Sequence, residues 1–452
     1  MRRSGHRSLQ AVWIVWLLGT TGAARAEDLW DVYRLAIGNA PQIQEADALR
    51  RARQQRLPEA RGALLPQVGA YGSREETSQD GQRLGMTDGG IGLTNVNTDA
   101  TTTSYGVELR QPVLYWDRWV RLRQARAEGA QADVDYRVSF DDLVLRAADL
   151  YFAQLAAEDL LAAARANRKA IEEQLEQSRN RFEVGLAAIT DLQEARAAHD
   201  QSRAEEIEAM HAVRLAEDAL RAVTGTPVGK LARPPPDIAL PGLEMSDEQA
   251  WVDRALQSNA EIASARLSLE IADREVARRQ AVRLPTVDLV ASRNHTERDS
   301  NNVFDALDVN GDSIRLEFVL PVFTSGVITA RTRQAGMLRE AAASHLETVQ
   351  LDVEQRARAA FLNVAASLAR VEAFRQAVIS AEAALDATRA GYESGTRTVL
   401  EVLNSQRNLL ISQTALARAT YVNLSSRLRL AMIAGALNED LMRETNASLT
   451  LR

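Results

Sequence analysis

Two long stretches of this chain place apolar residues at intervals of three and four, the spacing of a helix with one buried stripe. The stretches cover 118–182 and 327–391, contain no proline and little glycine, and would each form a helix roughly 100 Å long. Return helices are predicted over 187–223 and 397–433, which indicates antiparallel coiled-coil hairpins. The predicted apolar seam consists of Phe361, Val364, Leu368, Val371, Phe374 and Val378, with Ile171, Leu175 and Phe182 in the first half.

Four short segments alternate apolar and polar residues, as a strand does when one of its faces is apolar and the other wet. A helix is predicted before each pair of strands, over 42–64 and 261–283, and each ends close to a proline that cannot continue it. Segments 77–102 and 297–312 are rich in Gly, Asn, Asp and Thr, so we expect exposed loops there. The predicted strands are 67–76, 103–114, 286–295 and 313–323.

The order of these elements occurs twice along the chain, which indicates an internal duplication. "LAIGNAPQI" at 35–43 matches "RALQSNAEI" at 254–262, and "RFEVGLAAITDLQEAR" at 181–196 matches "GYESGTRTVLEVLNSQ" at 391–406. Three consecutive prolines interrupt any helix between the copies. We therefore expect a first repeat at 27–225, a Pro-rich linker at 226–243, a second repeat at 244–437 and a C-terminal tail at 438–452.

Residues 1–26 have the three parts of a secretory signal peptide. Arginines near the start precede a short apolar run, and Ala24-Arg25-Ala26 is typical of a cleavage site. The run is too short to span a bilayer, and every later window of about 20 residues carries charges. A mature chain that enters a membrane would therefore do so as a closed β-barrel. Four strands cannot close a barrel alone, so closure would need several copies of the chain.

The composition excludes several classes of function. The chain of 452 residues has a net charge of −7, which does not suit a protein that neutralises phosphates, so no nucleic-acid partner is expected. It has no cysteine and its five histidines are scattered, so neither a disulfide nor a metal site is predicted. The sequence contains no evident nucleophile or acid–base constellation. We therefore expect neither enzyme activity nor a cofactor.

The repeats, the paired segments "LPQV" and "LPTV" and the stretch "AGYESGTRTVLEVLNSQ" at 390–406 carry a resemblance to a known family. Over about 28–437 the chain resembles the TolC family of outer-membrane efflux and secretion channels. The resemblance implies a mainly α fold with a membrane β-barrel. Long antiparallel coiled-coil helices would form a tunnel through the periplasm, and four strands per protomer would close a twelve-stranded barrel in a homotrimer.

The same resemblance implies a function and a set of partners. The chain would be the outer-membrane exit duct for small-molecule efflux or for type I secretion of a polypeptide. A periplasmic adaptor protein would connect it to an inner-membrane pump of the RND or ABC type, and outer-membrane lipid would surround the barrel. The alternative function is a periplasmic coiled-coil scaffold or adaptor without a pore, against which the alternating strands argue.

In that family the turns furthest from the barrel form the periplasmic entrance, and side-chain contacts between helix pairs hold it shut. The resemblance places this latch at Tyr392 and Arg397, with Thr190 and Asp191 as acceptors. A guanidinium and a carboxylate form strong, directional hydrogen bonds, which suits a gate that a partner opens. The alternative is that Arg397 and Asp191 are solvated charges at helix ends.

The resemblance also implies a constriction lined by two acidic residues one helical turn apart. The first corresponds to Glu401, but the second corresponds to Asn404, which departs from the family pattern. Three copies of Glu401 would still form a ring of carboxylates, and such rings favour cations. The loss of the second ring leaves a block by metal cations in doubt. The alternative is that Glu401 is an ordinary surface acid.

The two turns also match a tip motif that, in the family, meets the hairpin of the adaptor. Glycine at each turn has a local explanation as well, because a tight turn at a helix end favours a positive φ. The second copy of the motif lacks the valine of the first. The predicted adaptor contacts are Val184, Gly185, Leu186, Ser394, Gly395 and Thr396.

Overall fold

The computed structural model describes residues 27–87, 89–235, 238, 240, 245, 247–301 and 305–450. The predicted signal peptide at 1–26 lies outside the described residues. The first half contains helices α1 Leu29–Asn39, α2 Pro41–Gln54 and α3 Arg56–Gly62, strands β1 Gln67–Thr87 and β2 Gly90–Leu114, and helices α4 Trp116–Glu183 and α5 Ile189–Thr224. The second half contains α6 Glu248–Ser258, α7 Ala260–Ala281, β3 Thr286–Ser300, β4 Leu307–Val319, α8 Val327–Glu393, α9 Val399–Ile433 and α10 Glu439–Thr450.

The two long helical hairpins are confirmed. Helix α4 has 68 residues and α8 has 67, so each is roughly 100 Å long. Their return helices α5 and α9 also match the prediction, and Gly225 caps the end of α5 with a φ of 72°, a left-handed conformation that favours glycine. Among the described helices, none is both long and apolar enough to cross a membrane.

The apolar seam differs from the prediction at one position of α8 and at Phe182 of α4, which is exposed. Val364 and Val371 are buried as expected, but Leu368 is exposed and the neighbouring Ser367 is buried in its place. The Ser367 hydroxyl accepts a hydrogen bond of 2.9 Å from the side-chain amide of Asn423 on α9. A polar pair therefore occupies part of the seam, and the periodicity of apolar residues alone did not predict it.

The short helices are more numerous than predicted. Helices α1 and α6 were not predicted, and the first-half helix at 42–64 is two helices, α2 and α3, which meet at Gln55. Helix α1 begins with a capping box. The Asp28 side chain accepts a hydrogen bond from the backbone N–H of Asp31, and the Asp31 side chain accepts one from the backbone N–H of Asp28. Its buried face has helical spacing and consists of Leu29, Val32, Tyr33 and Ala36.

The four strands form one antiparallel sheet in the order β1-β2-β3-β4. Strands β2 and β3 pair across the two halves, with Leu109 opposite Ala291, and the pairing is irregular near Pro112, which has no N–H to donate. In the described chain, β1 and β4 each pair with one neighbour. Both outer strands therefore keep an edge that a further strand can pair with.

The prediction of exposed loops at 77–102 and 297–312 was wrong for most of both segments. Strands β1 and β2 pair continuously from Gln67–Arg110 to Thr87–Gly90, so two residues separate them, and their sequence, Asp-Gly, is typical of a hairpin turn. Pairing supplies partners to backbone groups, so it extends strands through residues of low intrinsic preference. Strand β4 is also displaced from the predicted 313–323, because it begins at Leu307 and ends at Val319.

The largest hydrophobic core surrounds the middle of the long helices. Side chains of α1, α4, α5 and α9 meet there, including the fully buried Tyr151 and Leu428. Helix α10 lies within the predicted C-terminal tail and adds the buried side chains Met442 and Leu449 to this core. A second core packs α6 and α7 against α8 and α9. The two hairpins are therefore held together most firmly at mid-length, far from their ends.

The described part of the predicted linker binds along this central core. Leu231 is buried, and the backbone around it pairs with Glu27 through two hydrogen bonds of 2.8 and 2.9 Å. Arg233 reaches α4, where its guanidinium lies 2.7 Å from Glu158 and 2.8 Å from Asp159. This segment is an extended strap fixed to the first hairpin.

Candidate functional site

The far ends of the hairpins are two turns of the same construction. In the first, the N–H of Leu186 donates to the carbonyl of Arg181 at 2.8 Å, and the N–H of Gly185 donates to that of Phe182 at 2.9 Å. Thr396 makes the equivalent bond to Gly391 at 2.8 Å in the second turn. The glycines of the two turns have φ values of 75° and 76°, so each turn is a Schellman ending.

The two turns nevertheless present different chemistry. The side chains of Val184 and Leu186 are 69% and 71% exposed, so the first turn carries an apolar surface. In the second turn the hydroxyls of Ser394 and Thr396 both donate to the carbonyl of Gly391, each at 3.0 Å. The predicted adaptor contacts are therefore exposed and apolar at one turn, and polar and internally hydrogen-bonded at the other.

Arg397 and Glu401, which were assigned to the latch and to the constriction, bind each other. Glu401 closes a capping box with Thr398, since its Oε2 accepts from the Thr398 N–H at 2.8 Å. Its Oε1 accepts from Nη1 of Arg397 at 2.7 Å. The backbone N–H of Thr398 and then the Arg397 guanidinium hold the pKa of Glu401 below its usual value. The T-x-x-E spacing of this box was readable from the sequence and was missed.

Tyr392 lies in a small core near the turns rather than at the surface. It packs in a cluster with buried residues of α4, α8 and α9, and the guanidinium carbon of Arg181 lies 4.8 Å from the centre of its ring. Its hydroxyl is buried and has no hydrogen-bond partner within the described chain. The cluster consists of Ile171, Leu385, Tyr392, Val399, Val402 and Leu403.

The predicted hydrogen-bond acceptors of the latch, Thr190 and Asp191, lie at the start of α5. Thr190 is exposed and Asp191 is half-buried. Within the described residues of one chain, Arg397 pairs with Glu401 and not with Asp191. Asn404 is exposed beside Arg407, at the edge of a groove between α5 and α9. The assignment of these residues to a latch and a constriction remains a prediction.

Two features of this region were not predicted. Gly391 packs directly under Arg397, because a Cβ at Gly391 would lie 2.5 Å from Cγ of Arg397. Glu205 of α5 and Arg407 of α9 form an ion pair of 3.3 Å between the hairpins. A separation of 202 residues leaves no local signal for such a pair. The described residues contain no cluster of three His, Asp or Glu side chains that suits a metal ion.

The sheet at the other end of the molecule has two contrasting faces. Pairing places Leu109, Ala291 and Ile314 in one row, so their side chains share a face. Ile314 is 80% exposed and Phe318 is 63% exposed, so the part of this face nearest the helices is apolar and uncovered by the rest of the chain. The next row outward on the same face carries an ion pair of 3.6 Å between Arg293 and Asp312. The large exposed apolar side chains of this face near the helices are Val68, Tyr105, Val107, Leu109, Leu289, Ile314, Leu316 and Phe318.

The opposite face carries charges that pair across the strands. Arg110 of β2 lies 3.1 Å from Glu317 of β4 and 3.6 Å from Asp288 of β3. Arg315 also pairs with Glu317 at 2.9 Å. The Tyr115 hydroxyl, at the junction of β2 with α4, donates to Asp288 at 2.6 Å. The charged side chains of this face are stable in contact with water, whereas the apolar side chains of the other face favour an apolar environment.

Comparisons of sequence relate most of the chain to known proteins. The family described as outer membrane efflux protein matches residues 32–226 and 251–436. The chain is 33% identical over 445 residues to the outer membrane protein TolC of Escherichia coli strain K12. The aligned region covers 95% of this chain and 87% of that protein. It is 29% identical over 435 residues to the alkaline protease secretion protein AprF of Pseudomonas aeruginosa, covering 94% and 89%.

Comparisons of structure find the same architecture in solved channels. The outer membrane protein VceC from Vibrio cholerae superposes with a TM-score of 0.76 at 20% identity, covering 91% of this chain and 97% of that one. The CmeC outer membrane channel of Campylobacter jejuni gives 0.77 at 16% identity, covering 94% and 90%. The predicted fold class, a mainly α chain with long antiparallel helices and four strands, is confirmed.

Proposed function

The chain belongs to the outer membrane efflux protein family, and on that premise we propose that three copies assemble into one exit duct. Each copy contributes four strands to a twelve-stranded barrel in the outer membrane and two helical hairpins to a tunnel below it. The chain is a channel protein of the outer membrane, with its helices in the periplasm, and not an enzyme. The pore-free scaffold is therefore disfavoured.

The contrast between the two faces of the sheet carries this proposal. An exposed apolar band that includes Ile314 and Phe318 is costly in water and is stable against lipid. The ion pairs of Arg110 and Glu317 lie on the opposite face, where they suit a water-filled lumen. The open edges of β1 and β4 pair with neighbouring copies, which satisfies every strand in the hydrocarbon region.

The partners and cargo follow from the same family relationship. A passive duct needs an energy source, so we propose a periplasmic adaptor and an inner-membrane pump of the RND or ABC type. Relatives carry names for both kinds of cargo, protease secretion and toluene efflux. Both small molecules and an unfolded polypeptide therefore remain candidates for export through this chain.

We place the gate at the far ends of the hairpins. Tyr392 and Arg397 would hold it shut, with Thr190 and Asp191 as acceptors when the copies come together. Three copies of Glu401 would line the narrowest part and favour cations. Arg397 and Thr398 hold the Glu401 carboxylate in place and keep it ionised, and the Arg397 guanidinium offsets part of its negative charge.

The adaptor would meet the tips of the hairpins, and their chemistry favours the first turn. Val184 and Leu186 offer an apolar contact, whereas Ser394 and Thr396 are occupied with Gly391. Changing Val184 and Leu186 to serine should greatly reduce site-specific crosslinking of the adaptor, and changing Ser394 and Thr396 to alanine should not. Equal crosslinking in both variants would remove this assignment.

The duct itself is tested by single-channel conductance of the purified protein in a planar bilayer. Small, cation-selective openings that grow severalfold in a Tyr392→Phe, Arg397→Ser double variant would support both the duct and the gate. A conducting protein that is indifferent to the double variant would keep the duct and remove the latch. An inserted, folded protein without conductance would overturn the duct and return the scaffold to consideration.

A further inference from the structure

The two hairpins are joined very differently at mid-length and near their ends. At mid-length they share the large core, and Arg429 of α9 pairs with Asp149 of α4 at 3.0 Å. Nearer the turns a groove of about 320 Å³ separates α5 from α9. In the region where we place the gate, apolar packing between the hairpins is therefore limited to the small cluster around Tyr392, in which Ile171 of α4 meets α8 and α9.

One ion pair crosses this groove. Nη2 of Arg407 donates to Oε1 of Glu205 at 3.3 Å, and the side-chain amide of Gln201 donates to the same oxygen at 3.2 Å. The Arg407 side chain is 58% exposed and that of Glu205 is 29% exposed. Two ion pairs among the described residues join the two hairpins: this one and the pair of Arg429 with Asp149.

The adjacent residue Glu206 forms ion pairs within one hairpin and offers a comparison with Glu205. Its carboxylate pairs with Arg165 at 3.2 Å and with Arg168 at 2.7 Å, and both arginines lie on α4. Glu206 therefore stabilises a single hairpin, whereas Glu205 ties one hairpin to the other. A movement between the hairpins would therefore break the ion pair of Glu205 and leave those of Glu206 intact.

We propose that Glu205 and Arg407 form a clasp that holds the two hairpins of each chain together and must break when the gate opens. The inference rests on the proposed function as a gated duct. Both residues act by positioning the helices, and neither needs to touch the cargo. A partly exposed ion pair suits this role, because it is weak enough to break and reform and strong enough to bias the closed state.

The test measures the ratio of open to closed time in single-channel recordings. Glu205→Gln and Arg407→Gln should each raise this ratio by about two- to fivefold, the effect expected for a lost surface ion pair. The charge-exchanged double variant Glu205→Arg, Arg407→Glu should return it toward the wild-type value. Glu206→Gln, the matched control, loses two ion pairs within one hairpin and should leave the ratio unchanged.

A second measurement uses the absence of cysteine from the chain. In a Glu205→Cys, Arg407→Cys variant, a short bis-maleimide should join the hairpins and suppress opening, and adding it to the cysteine-free wild type should have no effect. A conducting wild type with unchanged openings in both glutamine variants, or an exchanged pair that does not restore closure, would overturn the clasp. A wild-type protein that does not conduct would instead overturn the proposed function, and the gating role with it.

Discussion

Arg397 lies in the turn just before α9 and Glu401 in the first turn of that helix, and Nη1 of the arginine is 2.7 Å from Oε1 of the glutamate. Their two proposed roles, latch and constriction, are therefore coupled within each chain. A change at Arg397 alters the charge and position of Glu401 before it alters any contact between helices. Experiments on the gate should consequently record ion selectivity together with conductance.

The first prediction concerns the pH at which Glu401 loses its charge. The Thr398 N–H and Arg397 lower the pKa of Glu401 from its ordinary value of 4.5, so the carboxylate remains charged as the pH falls below that value. In Arg397→Gln one of these causes is lost and the pKa rises toward 4.5. We expect cation selectivity to disappear at a higher pH in the variant than in the wild type.

The measurement is the reversal potential in a salt gradient, recorded between about pH 3 and pH 6. Glu401→Gln is the control, because a neutral side chain at this position should abolish the titration. The same titration midpoint in the wild type and in Arg397→Gln would show that the arginine does not set the charge of Glu401.

The second prediction concerns Asp141, which is partly buried on α4. Burial, opposed by Arg137 and reinforced by Asp142, raises the pKa of Asp141 from 3.8 to about 6. The folded chain then binds a proton that the unfolded chain releases, so the stability from this group is full below about pH 4 and falls as the pH rises to about 6. Above that range a charged Asp141 is a net cost.

We therefore expect Asp141→Asn to stabilise the protein at pH 7.5 by about 1 kcal/mol, after allowance for the partial exposure of the group. Near pH 4 the variant and the wild type should unfold at closely similar temperatures. Thermal unfolding in detergent at the two pH values checks this. A variant that is destabilised equally at both would show that Asp141 contributes packing or hydrogen bonds rather than a buried charge.

The third prediction concerns two glycines of α8. Gly336→Ala meets nothing within 4 Å, so it should stabilise the protein by about 0.5–1 kcal/mol through helix preference alone. Gly391→Ala gains the same preference but places a Cβ against Arg397, which must leave Glu401. We expect this second variant to be no more stable than the wild type and to have altered ion selectivity.

Thermal unfolding and reversal potentials of both alanine variants check the comparison. If Gly391→Ala were stabilised as much as Gly336→Ala and kept wild-type selectivity, Arg397 would have another position of equal energy. The packing of the glycine under the arginine would then have no role at the turn.

The fourth prediction concerns the contact between α9 and α4 at mid-length. The hydroxyl of Tyr421 donates to Asp159 at 2.6 Å, and burial together with this carboxylate raises the pKa of Tyr421, so the hydroxyl keeps its proton. Tyr421→Phe removes a buried hydrogen bond to a charged group and should lower the free energy of unfolding by about 1–3 kcal/mol.

The control is Tyr136→Phe, because the Tyr136 ring contacts Arg50 at 4.6 Å while its hydroxyl has no hydrogen bond in the described part of the chain. The control should change stability by less than about 0.5 kcal/mol. Equal effects of the two substitutions on thermal unfolding would mean that the bond from Tyr421 to Asp159 contributes nothing net.

Elements that depend on neighbours in sequence were predicted well, and those that depend on distant partners were not. Helices α4 and α8 agree with the prediction to within two residues at each end, because helical hydrogen bonds and the apolar stripe are local. Strand β2 begins at Gly90 rather than near 103, because its length is set by pairing with β1. The seam position taken by Ser367 depends on Asn423 in the same way.

The contacts of the candidate site show the same difference between local features and contacts with distant residues. The capping box of Thr398 and Glu401 spans four residues and was readable from its spacing, although it was missed. The clasp of Glu205 and Arg407 and the packing of Arg181 on Tyr392 each join different hairpins, so no spacing in the sequence announces them.

By itself the sequence determined the duplicated order of elements, the lengths of the long helices, the turns at their ends and the resemblance to a family of channels. These features follow from periodicity, from proline and glycine, and from motifs within one segment. Only the tertiary structure decided how far the strands extend, which charges pair across the sheet and which side chains connect the hairpins. Register and helix packing bring together residues hundreds of positions apart, and the energy of such contacts depends on geometry that composition and local spacing do not encode.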